Sequence, residues 1–124
     1  MTPPLTYASV LERLAAAVPH VASVYEREVA SWAPESPPPI VFVERWFTPY
    51  LIQQLESANE LEVKRCLSFL EQLASSSDTA LHDLVHFAVV EPLLSDSKAV
   101  ELALSAAGPK VKKLIVRARN WTTQ

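Results

Sequence analysis

The chain contains almost no glycine: Gly108 is the only one among its 124 residues. A chain with one glycine cannot build a glycine-rich loop around a phosphate group. It also cannot supply the positive backbone angles that tight β-hairpins require. This composition therefore excludes most nucleotide-binding folds and most all-β folds.

Cysteine and long apolar runs are equally scarce. Cys66 stands alone, so it cannot form an internal disulfide, and its neighbours Leu67, Phe69 and Leu70 favour a buried thiol. No window approaches the ~18 apolar residues that a membrane-spanning helix needs. The N-terminus lacks the basic start of a secretory signal. We therefore expect a cytoplasmic protein that does not enter the membrane.

Apolar residues, by contrast, make up 49% of the chain and recur at helical spacing almost from end to end. Thr6 is placed to cap a first helix, and Pro19 to open a second. A third helix is expected to continue across Pro49 with a kink. Gly108 is expected to end one helix in a left-handed conformation, and Pro109 to open the last.

These elements predict an all-α fold of about six to seven helices in a single domain over residues 1–124. We expect stacked antiparallel hairpins, as a HEAT-like array or an irregular helical bundle. A proline-rich loop at 33–39 separates the second and third helices, and Trp32 and Ile40 are expected to pin it. The apolar stripes also place Trp32, Trp46 and Trp121 towards the core.

Charge is unevenly distributed along the chain. The net charge is −3, with an excess of acids in the first half and a basic last helix. The cations of that helix either complement its dipole or form a contact surface. They are Lys110, Lys112, Lys113, Arg117 and Arg119. Because the chain as a whole is acidic, the sequence does not favour binding to nucleic acid.

The sharpest candidate for chemistry is the pair His82 and His86, which share a helix face at the spacing of metal ligands. The metalloprotease pattern places Glu after the first histidine, and Asp83 is shorter. Nothing in the sequence places a third ligand. Cys66 lies on an apolar stripe, which is the wrong face for a nucleophile. We therefore predict no catalytic residue, no metal site and no cofactor.

Acidic residues are scattered over the fifth and sixth predicted helices and their ends. A negative field there would steer a basic protein partner and speed its docking. From charge and expected exposure we predict a partner-binding surface on the fourth and fifth helices. Its residues are Glu71, Asp78, His82, Asp83, His86 and Glu91.

The order of segments resembles a family of small all-helical bacterial immunity-type domains associated with polymorphic toxin loci. The segments are AVPHVASVYERE (17–28), FVERWFTPYLIQQL (42–55), CLSFLEQLASSSDTALHDLVHFAVVEPL (66–93) and AAGPKVKKL (106–114). The resemblance implies a cytoplasmic protein that binds and blocks a cognate toxin. It transfers no catalytic residues.

The sequence thus predicts a binding protein, monomeric or dimeric, whose partner is a cognate protein toxin, possibly basic. One alternative is a helical-repeat adaptor or scaffold that holds a peptide in a groove. A less favoured alternative is a small metal-dependent enzyme that uses His82 and His86.

Overall fold

The computed structural model describes residues 5–122, and all regular structure within that range is helical. The prediction of an all-α fold with six to seven helices is therefore confirmed. We number as one helix each stretch that continues without a break. The helices are α1 (Val10–Ala17), α2 (Pro19–Trp32), α3 (39–56), α4 (Glu60–Ser75), α5 (79–94), α6 (Ser97–Ala106) and α7 (Pro109–Thr122).

The first two helices begin where local sequence signals place them. Thr6 caps a short 3₁₀ turn, Tyr7–Ser9, which leads directly into α1. The side chains of Thr6 and Ser9 each accept a hydrogen bond from the other residue's backbone N–H, which is a reciprocal capping box. Pro19 occupies the first turn of α2, where its missing N–H costs nothing. Both predictions are confirmed.

Helices α3 and α5 each contain an internal proline, and each accommodates it with a π-helical turn. The wide turns are Val43–Phe47 and His86–Val90, and they end two residues before Pro49 and Pro92. A proline inside a helix removes one backbone hydrogen bond and crowds the carbonyl four residues earlier. The wider turn relieves that crowding, so α3 continues across Pro49 as predicted.

A buried hydroxyl links these two helices. Pro92 has no N–H to donate to the carbonyl of Ala88, four residues earlier. The hydroxyl of Thr48 on α3 donates to that oxygen instead, at 2.6 Å. Thr48 is the only polar residue among the buried residues that the structure describes. Its bond gives this buried carbonyl a donor in place of the N–H that Pro92 lacks.

The hydrophobic core lies where the helical stripes meet. Each of the seven helices contributes to it, and its largest fully buried side chains include Phe42, Phe47 and Leu70. Cys66 is fully buried as predicted, and burial raises the pKa of its thiol to about 12. Within residues 5–122, no helix combines the length and the hydrophobicity needed to cross a bilayer.

The proline-rich connection is the one long non-helical segment in the described range. Pro39 is already the first residue of α3, so the loop is one residue shorter than predicted. Pro37 is buried, whereas Trp32 is exposed. Pro37 is the loop residue that is buried, and Ile40, expected to pin the loop together with Trp32, packs against the core.

The positions of the three tryptophans differ from the apolar stripes predicted from the sequence. Trp32, Trp46 and Trp121 were expected to face the core, but they are exposed by 36%, 36% and 80%. A buried indole needs a partner for its N–H. Trp46 finds one at the surface in Glu28, and Trp121 lies in the last described turn of α7.

The turn between α3 and α4 contains the one non-glycine residue with positive φ in the described chain. Ala58 has φ 57°, and its N–H donates to the carbonyl of Leu55. The next N–H, from Asn59, donates to the carbonyl of Gln54. This pair of bonds is a Schellman motif, which usually carries glycine at the left-handed position.

The turn between α6 and α7 differs from the prediction. No glycine in the described chain has positive φ, so the left-handed end expected at Gly108 is wrong. The residue before it, Ala107, ends α6 in an extended conformation. The carbonyl of Gly108 accepts the first helical bond of α7, from Lys112 at 3.0 Å, so Gly108 is the N-cap of α7.

Candidate functional site: the cleft between α5 and α7

An open cleft of about 310 Å³ lies between α5 and α7. One wall comes from α5 and presents ionisable side chains. The other comes from α7 and combines apolar, cationic and aromatic side chains. The lining residues are His82, Asp83, His86, Leu114, Arg117, Ala118 and Trp121. Three of the six residues predicted to bind a partner therefore lie in one concavity.

His82 is held in a fixed orientation. Its Nε2 lies 2.6 Å from the backbone carbonyl of Ser76, just before α5. Because a carbonyl can only accept, Nε2 carries the proton and donates it. When the ring is neutral, Nδ1 is therefore the nitrogen that can accept a hydrogen bond from a partner.

His86 lies one helical turn further along α5. Its Nε2 is 3.5 Å from Oε1 of Glu91, and both side chains are about half exposed. Its ring also meets the ring of Phe87 edge-on, with centroids 4.8 Å apart, and Phe87 is 48% exposed. An exposed contact of this kind contributes little to stability and leaves both groups accessible.

The opposite wall contains two residues that sequence reasoning did not assign to the site. Arg117 is exposed on α7, and Trp121 follows it one turn later on the same face. The basic helix and the acidic segment, which the sequence treats separately, therefore meet across one cleft. The polar residues Asn120 and Thr122 on either side of Trp121 are the local signal that could have indicated an exposed indole.

Glu71 lies away from this cleft and caps a helix within the protein. From α4, its Oε1 accepts the N–H of Lys110 at 2.8 Å, and its Oε2 accepts the N–H of Val111 at 3.0 Å. These are the second and third residues of α7, the amides that an N-cap side chain normally binds. A Cβ on Gly108 would lie 2.8 Å from this carboxylate, so the glycine makes room for it.

Asp78 is likewise committed to a helix end. Its Oδ1 accepts the N–H of Ala80 at 2.9 Å and caps α5. Asp83 and Glu91 are exposed. The structure thus separates the predicted surface into residues that stabilise helix ends, Glu71 and Asp78, and residues at or beside the cleft.

Two histidines on one helix face make a metal site only where further ligands join them. Among residues 5–122, no three His, Cys, Asp or Glu side chains come together where they could hold a metal ion. The cleft brings ionisable groups of both signs and an indole to an open surface. This is an arrangement that can recognise a macromolecule by ion pairs, hydrogen bonds and aromatic packing.

One family model matches this chain, that of a domain of unknown function, DUF7674, over residues 11–122. The chain belongs to the DUF7674 family. No curated protein and no solved structure matches it. The match includes all the residues that line the cleft in this DUF7674 domain.

A second polar cluster of the DUF7674 domain was missed by sequence reasoning because three helices supply it. His20 stacks on Tyr50 with ring centroids 4.0 Å apart. The Tyr50 hydroxyl donates to Glu62, which also accepts from Arg65 at 2.6 Å. Burial, followed by the bond to Glu62, raises the pKa of Tyr50, and the Tyr50 hydroxyl lowers the pKa of Glu62. This cluster joins α2, α3 and α4.

Proposed function

We propose that this domain is an immunity protein that binds a cognate protein toxin stoichiometrically and blocks it in the cytoplasm. The observation that carries the proposal is the α5–α7 cleft, where Trp121 is 80% exposed beside charged side chains. Aromatic and arginine side chains are the residues that most often dominate binding energy at protein interfaces.

The charge of the cleft suits a protein partner that presents both signs. Asp83 and Glu91 offer carboxylates, while Arg117 offers a guanidinium that can pair with a carboxylate in a bidentate geometry. An interface of ~800 Å² per partner would cover the cleft and its rim.

The direct test is co-expression with the product of the adjacent gene. The proposal expects that product to inhibit growth alone, to be harmless together with this chain, and to co-purify in a fixed ratio. An adaptor would form a complex without relieving any toxicity, and that result would contradict the immunity proposal. Turnover of a small substrate that disappears in His82→Ala or His86→Ala would support the metal-enzyme alternative.

The cleft itself is tested with Trp121→Ala and the matched control Val116→Ala. Val116 is on the same helix and exposed, but it does not line the cleft. Loss of a central aromatic anchor weakens binding by ~30-fold or more. Isothermal titration calorimetry should show that loss for Trp121→Ala and less than ~3-fold for Val116→Ala. Equal affinities for both variants would place the toxin elsewhere on the protein.

A further inference from the structure

A second exposed aromatic surface lies on α2 and α3, outside the cleft. Trp32 and Trp46 are each 36% exposed, and Val29 is 40% exposed. Trp32 follows Glu28 by one helical turn on the same face of α2, and Val29 and Trp32 are neighbours at a spacing of three. We call Val29, Trp32, Trp46 and Glu28 the two-tryptophan surface.

The two-tryptophan surface is held in place by the structure beneath it. Nε1 of Trp46 donates to Oε1 of Glu28 at 2.6 Å, which fixes one indole against α2. On the same two helices, Tyr25 and Phe42 pack edge-on with ring centroids 6.0 Å apart. After Trp32 the chain turns, and the N–H of Glu35 donates to the Trp32 carbonyl at 2.9 Å. A surface ordered before binding loses less entropy when a partner docks.

The chain segment that carries the surface has more acidic than basic residues. Residues 26–46 contain four carboxylates, Glu26, Glu28, Glu35 and Glu44, against two guanidiniums, Arg27 and Arg45. Only Oε1 of Glu28 is bonded to the indole. Within the described chain, its Oε2 has no hydrogen-bond partner. Glu28 is half-buried, and Oε2 belongs to the same carboxylate that the Trp46 indole contacts.

We propose that the two-tryptophan surface binds an arginine-bearing segment of a partner protein. A guanidinium can stack on an indole face while its N–H groups donate to a carboxylate, so one side chain would satisfy both features of the surface. The excess of carboxylates makes the surface complementary to a cationic segment. This inference goes beyond the proposed function, since it concerns different helices and does not require a toxin.

The test is a titration of the full chain, carrying Trp121→Phe, with an uncharged-capped Gly-Arg repeat peptide. That substitution leaves the indoles of Trp32 and Trp46 as the fluorescent probes, because the chain has three tryptophans. We expect saturable quenching by the arginine peptide, at least ~10-fold weaker binding of a Gly-Lys peptide, and none by a Gly-Glu peptide. Quenching that is equal for the arginine and lysine peptides would indicate unspecific charge attraction and overturn the proposal.

The decisive variants are Glu28→Gln and its neighbour Glu26→Gln, which remove the same charge from the same helix. Glu26 is exposed and lies off the face of Glu28. We expect Glu28→Gln to weaken the arginine peptide by ~5- to 10-fold and Glu26→Gln by less than ~2-fold. Equal effects of the two variants would overturn the proposal.

A third variant, Trp46→Leu, should weaken peptide binding by ~10-fold if the indole face contributes, with circular dichroism as the check on folding. If Trp46→Leu does not fold, the comparison of Glu28→Gln with Glu26→Gln still tests the proposal. Self-association of the wild-type chain that Trp32→Ala abolishes would assign the surface to a second copy and overturn the proposal.

Discussion

The turn before α4 and the turn before α7 start their helices in opposite ways. Helix α4 is capped locally, because the side chain of Asn59 accepts the N–H of Glu62 within the same turn. Helix α7 is capped by Glu71, which is 39 residues before Lys110. The turn before α4 has a left-handed alanine, Ala58, whereas the turn before α7 has the only glycine, in an ordinary conformation. Glycine here supplies space for a carboxylate and not a special backbone angle.

The largest effect expected from this comparison belongs to Glu71→Ala. It leaves two N–H groups of α7 without partners and removes a negative charge from the positive end of the helix. We expect the free energy of unfolding to fall by about 2 kcal/mol in urea denaturation. The control is Glu60→Ala, since Glu60 is an exposed glutamate on α4, the helix that also carries Glu71. Equal losses for both variants would mean that the distant cap contributes nothing.

Gly108→Ala is expected to cost about 1–2 kcal/mol, since the new Cβ would lie 2.8 Å from the Glu71 carboxylate. The double variant Glu71→Ala, Gly108→Ala should lose less stability than the sum of the single losses, because the crowding disappears with the carboxylate. A thermal or urea double-mutant cycle measures this coupling. Strict additivity would show that the glycine is not needed for the cap.

Ala58→Gly should act in the opposite direction and stabilise the protein by about 0.5–1 kcal/mol. The left-handed conformation costs alanine more than glycine, and the gain is reduced by the greater freedom of glycine in the unfolded chain. The melting temperature is the simplest measurement. A matched substitution at Ala16, an exposed residue inside α1, should instead destabilise. If Ala58→Gly lowers the melting temperature, strain at Ala58 is refuted.

The smallest effect is a pH dependence at the start of α4. The pKa of Glu62 is lowered from its ordinary 4.5, first by the Tyr50 hydroxyl and also by Arg65. A lowered pKa means that the ionised group stabilises the fold above pH 4.5, and that this contribution is lost as the pH falls through the folded value. The stability difference between wild type and Glu62→Gln should therefore be constant from pH 7 to about 5 and shrink below pH 4.5.

Urea denaturation across this pH range measures that difference. Glu60→Gln is the control for the helix dipole alone, since Glu60 also lies in the first turn of α4. A difference that grows towards low pH would contradict the assigned shift.

Features encoded by neighbouring residues could be predicted from the sequence. The helix count, the Thr6 cap, the helical continuity across Pro49, the burial of Cys66 and the opening of α7 at Pro109 all follow from local patterns. The cap by Glu71 could not be predicted, because the carboxylate and the amides that it binds are far apart in the sequence. The exposure of Trp46 was missed for the same reason, since its partner Glu28 lies on another helix.

The candidate site could likewise be predicted only in part. The sequence placed His82 and His86 on one helix face, and both line the cleft. Their neighbours in the cleft could not be predicted, because Arg117 and Trp121 lie on α7 and come close only when the chain is folded. Asp78 was assigned to the binding surface from its charge, whereas in the structure its side chain caps α5. A side chain that caps its own helix is already hydrogen-bonded. The charge of the residue alone does not reveal this.

The hydroxyl of Thr48 has a consequence for motion between the two candidate surfaces. It bridges α3, which carries Trp46, to α5, which carries His86, at a carbonyl that Pro92 leaves without its helical donor. Sliding α3 along α5 by even one residue would break that bridge without offering a replacement donor in the apolar interior. The two helices are therefore locked in register, and hydrogen exchange should report their inner turns opening together.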